Sequence, residues 1–308
     1  MRAYQPGDLP GVVELLNQSE QTVTRQNITS PEDFAADLQS YGFNPETDTA
    51  LILAGDGTPV GYADLMADKE PMVRLKAFIR VHPEYKGMGI GSRLLEWTES
   101  RARQLLHRAP DGARVVLLNS VYSLETDAIS LLEAHGYSYV RSSYRMLIDL
   151  EGSDPQPLIP EGITFRPIAH SEEDLRAAAW VDHQAFLDHW GAVEEPFETF
   201  YEKFKHRLDT DPGIDLSACR LALYGETAVG MTICKPQTEE DAEKGWVNIL
   251  GVLKPWRKRG IGRALLLDAF AEFKRRGKKR AGLFVDAGSL TGALQLYLHA
   301  GMRVEFER

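Results

Sequence analysis

The sequence is short of residues that specialised chemistry depends on. Its 308 residues include two cysteines, Cys219 and Cys234, too few in too long a chain for a disulfide framework. They suit a reducing cytosol and a packed core. No Cys/His cluster has zinc spacing, and His183 and His189 do not share a helix face, so no metal centre is expected. No apolar run nears the roughly 20 residues that cross a bilayer. The opening Met1-Arg2-Ala3-Tyr4-Gln5-Pro6-Gly7-Asp8 lacks the apolar stretch of a secretion signal. Cations are outnumbered: 35 Lys and Arg against 45 Asp and Glu give a formal net charge of −10, the wrong sign for a generic nucleic-acid surface. These absences point to a cytoplasmic protein with neither membrane nor nucleic-acid partner. Its acidity has two readings: simple solubility, or attraction of a cationic substrate such as an amine.

What is present comes twice. Lys86-Gly87-Met88-Gly89-Ile90-Gly91 has a counterpart in Arg257-Lys258-Arg259-Gly260-Ile261-Gly262. Each follows an apolar run and a proline, Phe78 to Pro83 and Ile249 to Pro255, and each opens an amphipathic run at Ser92 or Arg263. A strand, a cation, glycines and a helix start make an anion cradle: glycines let backbone N–H groups close on a phosphate, and the helix start adds partial positive charge. The match continues later, where Ala128 to Tyr137 parallels Ala293 to Met302. A repeat of this length and a 308-residue chain predict two domains of one fold.

Local signals supply the elements. Asp8 and Ser30-Pro31-Glu32-Asp33 mark helix starts. Ala50–Ala54 and Val60–Leu65 read as a hairpin about Gly55-Asp56-Gly57. Strands at 73–81, 113–119 and 144–150 and helices at 92–106 and 127–135 complete the first half. The breaker-rich 152–160 reads as a linker. The second half repeats the order: strand 163–166, a helix capped at Ser171, a helix at 197–208, a hairpin of 219–224 with 228–234, a strand at 246–252, then helix, strand and helix. Each half is therefore β-α-α-β-β-β-α-β-α, with domains expected at 1–151 and 161–308. The second half has no evident match for the 144–150 strand, which leaves two alternatives: trimmed ends, or a strand lent by one half to the other.

An Arg/Gln-x-x-Gly-x-Gly/Ala loop after a strand, followed by an Ala-x-x-Leu-Tyr-x-x-x-Gly helix, resembles the GNAT family of acyl-CoA-dependent N-acetyltransferases. The tandem form resembles the two-domain branch that includes mycothiol synthase. The resemblance implies an α/β (α+β) fold of two domains, each a mixed, mostly antiparallel sheet flanked by helices. It implies acetyl-CoA as cosubstrate and a small primary amine as acceptor. Pyrophosphate would lie on the backbone of Arg257, Lys258, Arg259, Gly260, Ile261, Gly262 and Arg263. The strand before the loop would splay from its neighbour, with Leu250 and Val252 touching the pantetheine arm and Gly251 at a bulge. Tyr297 would protonate the leaving sulfur. The equivalent loop positions of the first half are Val81, Lys86, Gly87, Gly89 and Gly91, but Leu132 stands where Tyr297 does and cannot donate a proton. The first half is thus read as degenerate and the second as catalytic.

The base is less legible. Mycothiol synthases tend to carry an acid on the strand before the loop, and Gly245-Trp246-Val247-Asn248 has none. Asp286 is a possible relay or a turn residue, and Ser289 replaces an asparagine common in relatives. Glu194 and Glu195 are either acids of an amine pocket or part of a solvated loop, and segments His183–Trp190 and Glu194–Phe200 are expected walls of that pocket or simply helix packing. The basic run Lys274–Arg280 reads as a solvated helix end, without the interleaved aromatics of a single-strand binder. Two rival functions remain: a non-catalytic acyl-CoA-binding or scaffold module, and a dinucleotide-dependent oxidoreductase. The second is disfavoured by Leu265 at the third glycine position of that fingerprint.

Overall fold

Ser30 and Ser171 begin helices as their sequences require: the Ser30 hydroxyl accepts from the Asp33 N–H and the Ser171 hydroxyl from the Asp174 N–H. Asp8 stands at a helix start too, but its carboxylate is drawn to Arg2 and the Gln5 N–H instead. These details come from a computed structural model that describes residues 1–27, 29–67, 72–190, 192, 194–238, 240–289 and 292–308. The chain divides into two compact units, Met1–Val140 with Arg308, and Arg141–Glu307.

In the first unit, α1 (Leu9–Thr24), α2 (Pro31–Leu38) and the short α3 (Pro45–Asp48) precede β1 (Thr49–Leu53), β2 (Pro59–Met66) and β3 (Arg74–Val81). Then come α4 (Ile90–Leu105), β4 (Val116–Asn119) and α5 (Thr126–Ala134). The sheet runs β1-β2-β3-β4, antiparallel except for the β3/β4 pair. That last pair ends at Ala77 and Asn119, so the final residues of β3 leave their neighbour.

The second unit starts with β5 (Ser143–Asp149) and β6 (Ile163–Pro167), then α6 (Glu172–Ala185) and α7 (Phe197–Thr210). Next are β7 (Arg220–Tyr224), β8 (Thr227–Lys235), β9 (Lys244–Val252), α8 (Ile261–Arg275), β10 (Arg280–Asp286), α9 (Ala293–His299) and β11 (Arg303–Glu307). Its sheet has the order β11-β5-β10-β9-β8-β7-β6. Only β9 and β10 are parallel, in register from Arg280 opposite Lys244 to Gly282 opposite Trp246. Beyond that point they diverge.

The borrowing alternative is therefore realised. The strand expected to close the first half lies between β10 and β11, antiparallel to both. Met146 and Leu150 join the large core built on Phe270, Phe273 and Leu283. A seven-residue partner, β10, satisfies every residue of β5 from Ser143 to Asp149, whereas β4 offers only four residues. The 303–307 segment forms the strand that the sequence reading left without a match. The breaker-rich 152–160 lies inside the second unit, between β5 and β6.

Candidate functional site

The divergence of β9 from β10 follows from local chemistry. Opposite β9, the register of β8 shifts between Ile233 and Cys234, leaving Asn248 as the extra residue of a bulge. A bulge bends its strand and re-aims the side chains beside it. The bulge thus falls at Asn248, where the sequence reading placed it at Gly251. Gly251 has another role: a Cβ there would lie 3.3 Å from the Ala185 Cβ and 3.6 Å from the Phe186 ring, so its bareness admits the end of α6.

The wedge opened by the two strands is a cleft of about 750 Å³. Its walls are β9 from Val247 to Val252, the end of β10, the Ala293, Leu296 and Tyr297 face of α9, the phosphate loop, and the segment Ala185–His189. At the loop, Lys258 and Gly260 have positive φ, 61° and 85°, and α8 begins directly afterwards at Ile261. The first unit repeats this path with Gly87 at 77° and Gly89 at 79° before α4. Lys258 holds with a side chain the left-handed turn that Gly87 makes without one, at a cost of about 1–2 kcal/mol.

Of the expected second-unit residues, Leu250, Val252, Arg257, Lys258, Gly260, Gly262, Arg263 and Tyr297 line the cleft. Arg259 and Ile261 do not. The Arg259 guanidinium lies 4.9 Å from the centre of the Trp256 ring, and the Ile261 side chain is buried among Val229, Leu265 and Ile163. Only the backbone of Ile261 is left to face an anion. Gly262 turns its bare side to the cleft, where a Cβ would lie 3.4 Å from Leu296 and 3.7 Å from Leu250 and Val252.

Arg257 works differently from a phosphate cation. Its Nη1 donates to Asp188 at 2.5 Å, Nη2 to the Ala185 carbonyl at 2.7 Å, and Nε to the Val252 carbonyl at 3.1 Å. The guanidinium is spent pinning the loop to the end of α6 and the end of β9. Asp188 is held below the usual carboxylate range by that hydrogen bond. Tyr297 is 7% exposed, and burial alone pushes its phenol up to about 12. It keeps its proton at any working pH.

Other expected residues are committed elsewhere. Glu195 is buried and bonds Lys203 at 2.7 Å, so it lines no amine pocket. His183 is buried, with Nε2 3.0 Å from the Glu195 carbonyl and its ring against Phe200. Phe197 and Phe200 pack α6 against α7. Asp286 reaches the cleft, but pairs with Arg141 at 2.5 Å and accepts from the Gly288 N–H at 3.0 Å. Ser289 also lines it. The basic run ends α8 as expected: Arg275 and Arg276 bond Glu272, Arg276 also Asp215, and Lys279 pairs with Glu243. Among the described residues no group of His, Cys, Asp and Glu has metal-holding geometry, and no helix is long and apolar enough to cross a membrane. Cys219 and Cys234 are free and buried.

The first unit has a smaller cavity of about 360 Å³, lined by Val81, Lys86, Gly87, Gly89, Gly91 and Leu132 as expected from the repeat. Sequence reasoning missed Arg80, which also lines it. It missed the Asn248 bulge in the second cleft as well, while His189 lies in the 183–190 segment expected as a pocket wall but was given no role of its own. A histidine between Asp188 and Trp190 just beyond a helix end carries no distinguishing pattern. The bulge depends on β8, which lies across the sheet.

Comparison with known proteins gives the same picture. The model of the acetyltransferase (GNAT) family matches residues 12–137 and again 174–302. The mycothiol acetyltransferase of Streptomyces scabiei is 28% identical, over 94% of this chain and 86% of its own length. That of Thermobispora bispora is 27% identical, over 96% and 92%. Among solved structures, a GCN5-related N-acetyltransferase from Sphaerobacter thermophilus superposes with a TM-score of 0.81 at 32% identity, covering 99% of this chain and 92% of that one. A tandem GNAT protein from the clavulanic acid biosynthesis pathway shares the fold, with a TM-score of 0.68 at 17% identity, over 100% and 94% of the two chains.

Proposed function

This chain belongs to the acetyltransferase (GNAT) family and is an N-acetyltransferase, and from that premise we propose that its second unit moves an acetyl group from acetyl-CoA to a primary amine of a small molecule. The observation that carries this reading is one continuous cleft that joins the positive-φ loop, the opened β9 edge and the buried phenol of Tyr297. Backbone N–H groups at the start of α8, with the exposed cations Lys258 and Arg263, suit a pyrophosphate. The β9 residues past Trp246 have left the β10 ladder and offer backbone groups to an amide-bearing arm. The thioester supplies the activated acyl group.

Tyr297 donates its proton toward the departing sulfur, and its phenol is recharged by the proton that the new amide nitrogen sheds. Burial suits this role, since it keeps the phenol in its neutral, donating form. The first unit has Leu132 at this position and supports the second without turnover. The acceptor is a small amine. The name mycothiol acetyltransferase carried by relatives supports a mycothiol-related amine as one candidate, while the carboxylate-free stretch Gly245–Asn248 argues for testing others beside it. We place the reaction in the cytosol, where two unpaired thiols persist.

The test is thiol release from acetyl-CoA in the presence of a panel of amines. Acceleration by at least one small amine, and none by a histone-type peptide, is the expected result. A preference for the peptide, or no release with any amine, overturns the acceptor reading.

A further inference from the structure

The cleft has a proton donor for the sulfur, yet its carboxylates are already engaged. Asp188 is locked to Arg257 at 2.5 Å and Asp286 to Arg141 at 2.5 Å. Its remaining charged walls, Lys254, Lys258 and Arg263, are cations. One titratable acceptor is left among the described lining residues: the imidazole of His189, carried just beyond α6 and half-buried in the cleft wall.

The ring is well positioned. Its backbone N–H donates to the Phe186 carbonyl at 3.0 Å, and its imidazole packs on the Phe186 ring at 4.5 Å between centroids. Neither ring nitrogen has a hydrogen-bond partner among the described residues. Arg257 fixes the neighbouring Asp188, and with it the loop that carries the histidine.

We propose that His189 is the general base that takes a proton from the incoming ammonium of the acceptor. The inference rests on the acetyl-transfer reading given above. One proton leaves the ammonium for an imidazole nitrogen and then passes to solvent. The freed amine lone pair attacks the thioester carbonyl carbon, forming C–N. The C–S bond breaks, sulfur takes the Tyr297 proton, and the second proton shed by the nitrogen restores the phenol. The net products are the amide, the free thiol and one proton.

The electrostatics agree. His189 is held below its ordinary value of 6.5 chiefly by burial, with Arg257 and Arg141 pushing the same way and Asp188 and Asp286 opposing. Neutral imidazole is the form that accepts a proton, and it therefore persists through neutral pH.

The test uses the full chain, acetyl-CoA, and glucosamine, tryptamine and spermidine as acceptor probes, read by thiol release. In His189→Gln, kcat at pH 7 should fall by about 10²–10⁴-fold. Acetyl-CoA affinity by calorimetry and the melting temperature should stay near wild type. The acid limb of wild-type kcat/KM, with an apparent pKa below 6.5, should vanish, replaced by a rise toward the pKa of the acceptor itself. An active wild type whose His189→Gln variant keeps its kcat and its acid limb overturns the base assignment alone. A wild type inactive with every probe overturns the underlying acceptor reading and this inference with it. Loss of acetyl-CoA affinity together with kcat makes His189 a cofactor contact and also refutes the proposal.

Discussion

The two units share a phosphate loop but differ sharply in what lies beneath it. Counting back from Lys86 and Arg257, Arg80 in the first unit holds the position of Gly251 in the second. Gly251 lets α6 close on the strand and leaves the cleft open. Arg80 is 3% exposed, sits over the Phe78 ring at 4.4 Å, and pairs with buried Glu20 at 3.2 Å; Glu20 in turn accepts from the Tyr122 hydroxyl at 2.5 Å. A buried ion pair flanked by aromatic rings thus holds the position at which the second unit packs the end of α6. The cavity is about half as large, 360 Å³ against 750 Å³. Leu132 replaces Tyr297 in the helix alongside. On the proposed reading, the duplication separates a loop that holds phosphate from a site that does chemistry. The proton donor at the end of the wedge then marks the difference, since the last residues of β3 leave β4 as those of β9 leave β10.

The most forceful way to break this comparison is to remove the donor. Tyr297→Phe should lower kcat by about 10²–10³-fold with little change in acetyl-CoA affinity, whereas Leu132→Ala should leave turnover near wild type. Equal losses at both positions, in steady-state kinetics, would mean that the active unit has been misassigned.

Next in size is the loop itself. Gly262→Asp puts bulk against Leu296 and a negative charge where pyrophosphate is expected, and should weaken acetyl-CoA binding by about 10²-fold or more, a few kcal/mol of lost anion contacts. Gly91→Asp in the first unit should leave catalytic turnover unchanged after correction for stability. Calorimetry with each variant separates the two sites.

A pH experiment sharpens the contrast between the two long helices. At the position that holds Arg101 in α4, α8 has Glu272, bonded to Arg275, Arg276 and Arg220. The Arg275 hydrogen bond, aided by Arg276, lowers the Glu272 carboxyl to about 2. Its folded pKa lies below its unfolded value, so its stabilisation is full above about 4.5 and is lost as pH falls toward 2. Glu272→Gln should remove at most about 3 kcal/mol at neutral pH and flatten this acid limb in melts recorded from pH 6 to 3. A limb identical to wild type would reject the assignment.

The smallest effect concerns the left-handed turn at Lys258. Lys258→Gly should raise stability by about 1 kcal/mol, because glycine accepts the φ of 61° that lysine resists, while slightly weakening acetyl-CoA binding through loss of a cation. Gly87→Lys in the first unit should do the reverse to stability. Unchanged melting temperatures for both variants would show that the left-handed turn is not strained.

Much of this was legible in one dimension. The two loops, the caps at Ser30 and Ser171 and the hairpin at Gly225 were placed from a few neighbouring residues each, since capping, turn geometry and helix starts are decided within one or two turns of chain. The pairing of Leu132 with Tyr297 followed from counting along matched helices. Arg257 was placed in the loop correctly, yet its side chain faces Asp188, which is 69 residues away in sequence. Glu195, a pocket acid or loop residue by sequence, is neutralised by Lys203.

By itself, then, the sequence determined that this protein is a duplicated fold with two phosphate loops and one candidate proton donor, because those features are written in residue types at short, repeated spacing. Tertiary structure alone decided which sheet receives Ser143–Asp149, where β9 bulges, and which acids of the cleft are neutralised. Strand pairing and ion pairing are choices among distant partners, settled by which edge is long enough and which charge is near, and no local spacing encodes them.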